Sequence, residues 1–137
     1  MKFSTRTRYG LRFLVYLANA PVDNLVQLAE VANKEGISRG YLEQIVRDLK
    51  PMDILHTTRG VGGGYRLSCP PAQINLEQVF DHLEGGLAPV ACLSDEKKCS
   101  RQCACTTRPF WQALDAHMRS FLQGMTLEQL IHTYNCK

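Results

Sequence analysis

The segment from Cys92 to Cys105, C-L-S-D-E-K-K-C-S-R-Q-C-A-C, contains four of the chain's six cysteines within fourteen residues. Of its other side chains only Leu93 and Ala104 are apolar, so the segment cannot fold by burying apolar surface. It is therefore either a disordered loop or a loop ordered by what its thiols bind. Three kinds of bond suit such closely spaced cysteines: disulfides, a zinc site or an iron-sulfur cluster.

The composition favours a metal site over disulfides. The 137 residues, 45% of them hydrophobic and 21% charged, suit one modest globular domain with an appendage. No run of about 18 apolar residues is available to span a membrane, and the opening residues M-K-F-S-T-R-T-R-Y lack the apolar centre of a signal peptide. We therefore expect a cytoplasmic protein, and a reducing cytosol disfavours disulfides.

Positive charge is concentrated in the first half of the chain. The net charge is only +3, but residues 1 to 66 contain ten basic residues against six acidic ones, and the remainder is slightly acidic. This asymmetry predicts that a polyanionic partner binds the N-terminal half.

Three helices are predicted in that half. The first runs from Ser4 to before Pro21, and the second is short and stops near Gly36. The third begins after Ser38, a suitable N-cap, and stops at Pro51. Its predicted buried stripe consists of Leu42, Ile45, Val46 and Leu49. The second and third helices, joined by a turn containing glycine, form a helix-turn-helix.

A two-stranded wing is predicted to follow the third helix. Residues 54 to 58 and 65 to 67 have strand character, and the turn between them is R-G-V-G-G-G. A glycine loop can also be a flexible hairpin or cradle phosphates, but no G-x-x-x-x-G-K-[ST] occurs and a strand follows rather than a helix. A recognition helix with a wing carrying Arg59 is an arrangement that binds DNA in its grooves.

The outward face of the third helix supplies candidate DNA contacts. Ser, Tyr and Arg suit phosphates, Gln44 suits adenine, and Glu43 can accept a hydrogen bond from cytosine. The candidates on this face are Ser38, Arg39, Tyr41, Glu43, Gln44 and Arg47. The alternative is a solvated face without a role, which stays open for any single one of them.

The C-terminal half is predicted to be helical around the cysteine segment. A connecting helix begins after Asn75 and ends at Gly85, and its His82 is interpreted as structural because no cysteine or carboxylate lies three or four residues away. A longer helix follows Thr106 or Thr107 as its cap and ends at Gly124, before a short helix that Thr126 caps. The apolar seam of the long helix consists of Trp111, Leu114, Met118 and Phe121. This seam predicts packing against the same helix of a second copy, or alternatively against the chain's own core.

These elements together resemble one known family over essentially the whole chain. The carrying motifs are F-S-T-R-T-R-Y-G-L-R, I-S-R-G-Y-L-E-Q-I-V-R-D-L, R-G-V-G-G-G-Y-R-L and the cysteine segment before a long helix. They are similar to the Rrf-two (Rrf2) family of winged helix-turn-helix transcription regulators, and the cysteines resemble its iron-sulfur branch of IscR-, NsrR- and RirA-like proteins. The fold class implied is mainly α with a small β-wing and a long C-terminal dimerisation helix.

The resemblance also implies a domain organisation and a partner. Residues 1 to 70 would be the DNA-binding domain, 71 to 91 a connecting helix, 92 to 105 the cluster-binding loop, and 106 to 137 the dimerisation and C-terminal helices. A homodimer would bind a partly palindromic double-stranded operator. Arg59 and Gly60 match the wing that reaches the minor groove.

Cys92, Cys99 and Cys105 match the three cysteines of the cluster-binding members. The resemblance implies a [2Fe-2S] or [4Fe-4S] cluster that makes operator binding, as a repressor or an activator, depend on iron-sulfur or iron status, nitric oxide or redox state. Where some members supply a fourth ligand, this chain has Arg108 or Arg8, neither of which can ligate iron. Cys103 is the first candidate for the fourth position and Cys136 a weaker one.

Other chemistries remain open. Four cysteines can close a zinc site, although C-x(6)-C-x(3)-C-x-C lacks paired C-x-x-C knuckles, and bare thiols can act as redox sensors. Cys69 is interpreted as a small residue at a strand end. A small cysteine oxidoreductase is disfavoured because catalytic carboxylate pairs, a Ser/His/Asp set, a nucleotide fingerprint and a C-x-x-C motif are all missing.

Overall fold

A computed structural model describes residues 2 to 134 and contains the three predicted N-terminal helices. Helix α1 spans Thr5–Asn19, α2 spans Leu28–Glu35 and α3 spans Arg39–Leu49. The Ser38 hydroxyl accepts a hydrogen bond from the Tyr41 amide at 3.2 Å, which confirms the predicted cap of α3. Gly36 ends α2 with a φ of 65°, a left-handed conformation that favours glycine. The helix-turn-helix is thus formed as predicted.

The wing is an antiparallel hairpin of β1 (Leu55–Thr58) and β2 (Gly64–Leu67). It is joined to the segment before α2, because Val26 and Tyr65 exchange two backbone hydrogen bonds of 2.8 Å. A side chain at Gly64 would place its Cβ 2.6 Å from the Val26 carbonyl oxygen, so this contact requires glycine. The hairpin is therefore held against the helical domain along β2.

Four further helices form the C-terminal half. They are α4 (Leu76–Glu84), α5 (Ala91–Ser94), α6 (Arg108–Gln123) and α7 (Leu127–Thr133), with short 3₁₀ turns at 50–52, 71–73 and 96–98. Asn75 and Thr126 cap their helices as predicted, and Thr126 does so in a capping box with Gln129. Thr107 occupies the N-cap position of α6 as predicted, but its side chain makes no capping hydrogen bond.

One buried apolar core extends from α1 to α7. Its members include all four residues of the predicted α3 stripe, together with Phe13, Leu14, Val79, Leu83 and Leu127. Gly10 lets α4 approach α1 closely, because a Cβ there would lie 2.7 Å from the buried Leu83 side chain. Within residues 2 to 134, none of the helices combines the length and apolarity that crossing a membrane requires.

Candidate nucleic-acid interface and cysteine loop

The outward face of α3 is open to solvent as predicted. Ser38, Arg39, Glu43, Gln44 and Arg47 are exposed, while the opposite stripe of α3 is buried. Arg39 and Glu43 form an i,i+4 ion pair, with Arg39 Nε 3.6 Å from a Glu43 carboxylate oxygen. Their side chains are 67% and 53% exposed, so the pair is screened by water and contributes little to stability. Both groups can exchange this contact for another polar partner at small cost.

Tyr41 differs from the other candidates because it is half-buried. Its ring packs edge-to-face on Tyr9 of α1 with the centroids 5.8 Å apart. The guanidinium of Arg12 lies 5.5 Å from the Tyr9 ring on the same helix. Tyr41 therefore belongs partly to the contact between α1 and α3.

A polar cleft joins the recognition helix to the wing. It has a volume of about 510 Å³ and brings Arg39 and Glu43 of α3 together with Arg59 and Gly60 of the wing turn. The φ of 95° at Gly60 explains why glycine occupies the turn. The cleft also contains Gln27, Lys50, Thr57 and Thr58. Sequence reasoning did not select these four, although the hydroxyls of β1 and a lysine just beyond α3 were available signals.

Not every basic residue of the N-terminal half is available to a polyanion. Arg12 donates to the Glu35 carboxylate at 2.6 Å and to the Glu35 carbonyl oxygen at 2.6 Å, which joins α1 to the end of α2. Arg6 pairs with Asp48 at 3.3 Å. The positive charge that faces the cleft comes instead from Arg39, Lys50 and Arg59.

The cysteine loop, residues 92 to 105, contains no buried residue. Cys92 lies in α5, Cys99 follows the turn at 96–98, Cys105 is partly buried, and Cys103 is exposed. As placed, no three Cys, His, Asp or Glu side chains among residues 2 to 134 lie close enough to hold a metal ion. The predicted ligands thus share one loop without converging, and Cys136 lies outside the described residues.

Two hydrogen bonds tie the loop to the start of α6. Arg108 donates to the Cys92 carbonyl oxygen at 3.1 Å, which closes the loop across 16 residues. The Cys105 sulfur lies 3.3 Å from the Thr107 hydroxyl, which is engaged there instead of capping α6. The hydrogen bonds of the Thr107 hydroxyl and amide lower the pKa of Cys105 below that of an ordinary thiol, since they stabilise the thiolate.

Cys69 has a different setting from the loop thiols. It lies just beyond β2, packed against the apolar core, and burial raises the pKa of its thiol. Its position agrees with a small residue at a strand end.

Helix α6 leaves much of its apolar surface uncovered. Leu122 is its one buried residue, whereas Phe110 and Phe121 are 62% and 60% exposed. Of the predicted seam, Met118 packs on the chain's own core, while Trp111 and Leu114 are half-buried. A wholly apolar groove of about 230 Å³ lies beside Phe121, between α6, α7 and the chain's N-terminal residues. One part of the seam therefore packs on the chain's own core, and another part is exposed to solvent.

Comparison with known proteins identifies the family. The model of the Rrf2 family, described as an iron-dependent transcriptional regulator, matches residues 3 to 133. Protein rrf2 of Nitratidesulfovibrio vulgaris is 34% identical over 131 residues, covering 96% of this chain and 87% of that protein.

Two solved structures have the same architecture. CymR of Bacillus subtilis, titled the global cysteine regulator, aligns with a TM-score of 0.79 at 31% identity over 99% of both chains. IscR of T. potens aligns with a TM-score of 0.78 at 25% identity, covering 98% of this chain and 89% of that one. With its exposed recognition helix and attached wing, the chain belongs to the Rrf2 family of winged-helix transcription regulators, so it is a DNA-binding regulator and not an enzyme.

Proposed function

We propose that this regulator binds its operator as a homodimer and that an iron-sulfur cluster held by the cysteine loop controls the binding. The observation that carries the proposal is the loop itself: four thiols lie in a segment without a buried residue, and Arg108 fastens that segment to α6. Such a segment can rearrange at low cost around a ligand. We assign the signal to iron-sulfur or iron status, nitric oxide or redox state, and the site of action to the cytoplasm.

The DNA-binding step uses α3 in the major groove and the wing in the minor groove. Gln44 and Glu43 are assigned to base edges, and Ser38, Arg39, Tyr41 and Arg47 to phosphates or bases at the groove edge. Arg59 with Gly60 enters the minor groove, where negative potential favours an arginine. The polar cleft supports this assignment because it places the Arg39–Glu43 pair and Arg59 along one surface.

Dimerisation is assigned to α6. Two phenylalanines are exposed on α6, which has one buried residue. They form an apolar surface whose exposure to water is energetically unfavourable. A second copy of α6 covers such a surface in the proposed dimer, and two recognition helices then face half-sites about one helical turn, roughly 34 Å, apart. Under this proposal residues 1 to 70 bind DNA, 71 to 91 connect, 92 to 105 sense, and 106 to 137 dimerise.

The donor set of the loop fits an iron-sulfur cluster. Soft thiolates are the preferred ligands of such clusters, and Cys92, Cys99 and Cys105 are assigned as ligands with Cys103 as the fourth. A bound cluster supplies iron and sulfide that react with oxidants and nitric oxide. The hydrogen bond from Arg108 to the Cys92 carbonyl links the first ligand to α6, so the loop conformation acts on the proposed dimer helix.

The test is purification of the full chain without oxygen, followed by visible absorption spectroscopy and analysis for iron, sulfide and zinc. We expect broad visible absorption that bleaches on reduction, with iron and sulfide present. Cys92→Ala, Cys99→Ala and Cys105→Ala should each lose the native chromophore, whereas Cys69→Ala, outside the loop, should keep it. A protein that stays colourless after cluster reconstitution would overturn the assignment.

Control by the cluster is tested on DNA. Duplexes enriched from a random-sequence pool by the protein serve as operator, and fluorescence anisotropy gives the affinity of the cluster-loaded and metal-free forms. We expect the two affinities to differ by at least about fivefold, a coupling typical of regulated proteins. Equal affinities would remove the sensing role and leave DNA binding intact.

Thiol-based control is the second candidate. It is favoured by the likeness to a CymR titled a cysteine regulator and by the exposure of Cys103. It predicts a colourless protein whose operator affinity changes on mild oxidation and recovers with a thiol reductant. A zinc site predicts instead one tightly bound zinc ion per chain and no visible chromophore.

A further inference from the structure

Helix α4 lies between α6 and the recognition helix, and a charged cluster joins it to α6. Arg119 of α6 donates to Glu77 at 3.1 Å and lies 3.5 Å from Asp81, both on α4. Its guanidinium also contacts Asp115 of its own helix at 3.2 Å. Arg119 is therefore the shared partner of three carboxylates on two helices.

The contact between Arg119 and Glu77 in this cluster is less exposed than an ordinary surface ion pair. The Arg119 side chain is only 31% exposed and that of Glu77 only 18%, so water screens the contact weakly. Burial alone would lower the pKa of Arg119, but Asp115, Asp81 and Glu77 outweigh it and raise the pKa. Without the guanidinium the three carboxylates would repel one another, and α4 would lose its ion pairs with α6 while keeping the hydrogen bond from its cap Asn75 to the Gln123 carbonyl oxygen.

The other end of α4 contacts the recognition helix through a histidine. His82 Nε2 lies 2.5 Å from the Asp48 carbonyl oxygen. A carbonyl can only accept, so Nε2 carries the proton of this bond. Asp48 belongs to the last turn of α3, where carbonyls lack intrahelical donors. His82 thus supplies a hydrogen-bond donor to a carbonyl at the end of α3.

Apolar packing beside His82 makes the same connection. The next residue, Leu83, is buried over Gly10, and a Cβ built at Gly10 would also lie 3.6 Å from Ile45 of α3. Leu83 of α4 and Ile45 of α3 therefore both approach the one position of α1 that has no side chain. A displacement of α4 is transmitted to α3 because a close-packed core resists compression.

We infer that Arg119 and His82 are positioning residues that couple α6 to the recognition helix through α4. The inference rests on the proposed function, because it explains how a change in the cysteine loop reaches DNA. Arg108 fixes the loop to the first turn of α6, Arg119 fixes α6 to α4, and His82 fixes α4 to the end of α3. Neither positioning residue is assigned to DNA contact or to the cysteine loop.

The first test is amide hydrogen exchange on the full-length metal-free protein. Arg119→Met and His82→Leu should each speed exchange in residues 45 to 53 by about three- to tenfold, the effect of one lost hydrogen bond. His82→Gln, which keeps an amide donor, should restore slow exchange. Exchange in 45 to 53 that is unchanged in Arg119→Met would overturn the coupling and leave His82 a local contact.

The second test uses the ratio of operator affinities of the cluster-loaded and metal-free forms. Arg119→Met and His82→Leu should each reduce this ratio by at least about threefold, and the double variant should reduce it no further, as expected for one shared route. The matched controls Lys34→Met and His132→Leu should keep it. Additive losses, or an unaltered ratio, would overturn the inference.

The two tests separate this inference from the proposed function. If the operator affinity of the wild-type protein is the same in the cluster-loaded and metal-free forms, the proposed sensing role of the loop is excluded. The exchange experiment on metal-free protein would still decide whether α6 positions α3 through Arg119 and His82.

Discussion

Residues 2 to 70 and residues 92 to 123 are stabilised in different ways. Among residues 2 to 134, twelve of the nineteen buried apolar residues lie in the first region, whereas Leu122 is the one in the second. The first region also has side-chain caps on α1 and α3 and a wing joined to it by backbone hydrogen bonds. The second is held by contacts of α6 with α4 and by polar contacts such as that of Arg108 with Cys92.

The difference assigns distinct roles to the two regions. A region that contributes most of the buried core keeps one shape, which suits a surface that must match the grooves of DNA. A region with little burial opens at low free-energy cost, so a ligand or a second chain can change its conformation. Residues 2 to 70 should therefore keep their fold when the loop changes, and the loop itself should respond to small chemical changes.

Truncating an apolar side chain should produce the largest difference in stability between the two regions. Leu42 is fully buried in α3, so Leu42→Ala should lower the free energy of unfolding by about 2 to 5 kcal/mol. Leu93 in the cysteine loop is only half-buried, and Leu93→Ala should cost less than about 1 kcal/mol. Urea denaturation of the metal-free protein, with both variants at the same protein concentration, measures the two losses of unfolding free energy. Equal losses would show that the loop is part of the same core.

A charge at Phe121 should disrupt the proposed dimer. Phe121→Asp places a carboxylate on the exposed apolar surface of α6, and loss of a central aromatic contact typically costs about 2 kcal/mol or more. The dimer dissociation constant should then rise by about thirtyfold or more. Sedimentation equilibrium gives this constant directly.

The control for this variant lies on the same helix. Gln112 is exposed and lies on roughly the opposite side of α6, so Gln112→Asp adds the same charge away from the phenylalanines. It should leave the dissociation constant within about threefold of the unmodified protein. Equal weakening by both variants would indicate that total charge, and not the Phe121 surface, controls association.

The wing arginine should change affinity without changing stability. Arg59→Ala should weaken operator binding by about 1 to 3 kcal/mol, which is roughly fivefold to 150-fold. The number of counterions released on binding, obtained from the salt dependence of the affinity, should fall by about one. Lys97→Ala removes one positive charge from the cysteine loop and should alter neither quantity by more than about twofold. Anisotropy titrations at several salt concentrations measure both. Retained affinity in Arg59→Ala would show that the wing does not touch DNA.

Most of the fold could be predicted from the sequence because local signals agree with the tertiary structure. The Ser38 cap, the glycine at position 36 and the stripe of α3 each specify the same helix, and the structure contains it. The wing follows from strand residues on either side of a glycine turn. In residues 2 to 70, the apolar pattern, the helix caps and the packing all specify the same structure.

The features that could not be predicted from the sequence depend on contacts between residues that are far apart along the chain. The bond between Val26 and Tyr65 that holds the wing, the cleft position of Lys50, and the cluster of Arg119 with α4 have no local signature. Thr107 is the N-cap residue of α6 as predicted, but its hydroxyl faces Cys105, a contact that competes with a capping hydrogen bond. The assignments of the loop cysteines rest on the family resemblance, and the metal-binding roles stay predictions.

The smallest effect is expected at Glu43, where affinity and specificity should separate. Glu43→Ala removes the exposed partner of Arg39, whose ion pair is worth about 0.3 to 0.5 kcal/mol, so stability should barely change. Affinity for the best operator should stay within about threefold, because the freed Arg39 compensates for the lost base contact. Tolerance of base changes at the position facing Glu43 should widen, since a carboxylate that accepts from cytosine no longer excludes other bases. Selection from a random duplex pool before and after the substitution measures this directly. An unchanged base preference would leave Glu43 as the ion-pair partner of Arg39 and nothing more, and base selection by α3 would then rest on Gln44 and Arg47.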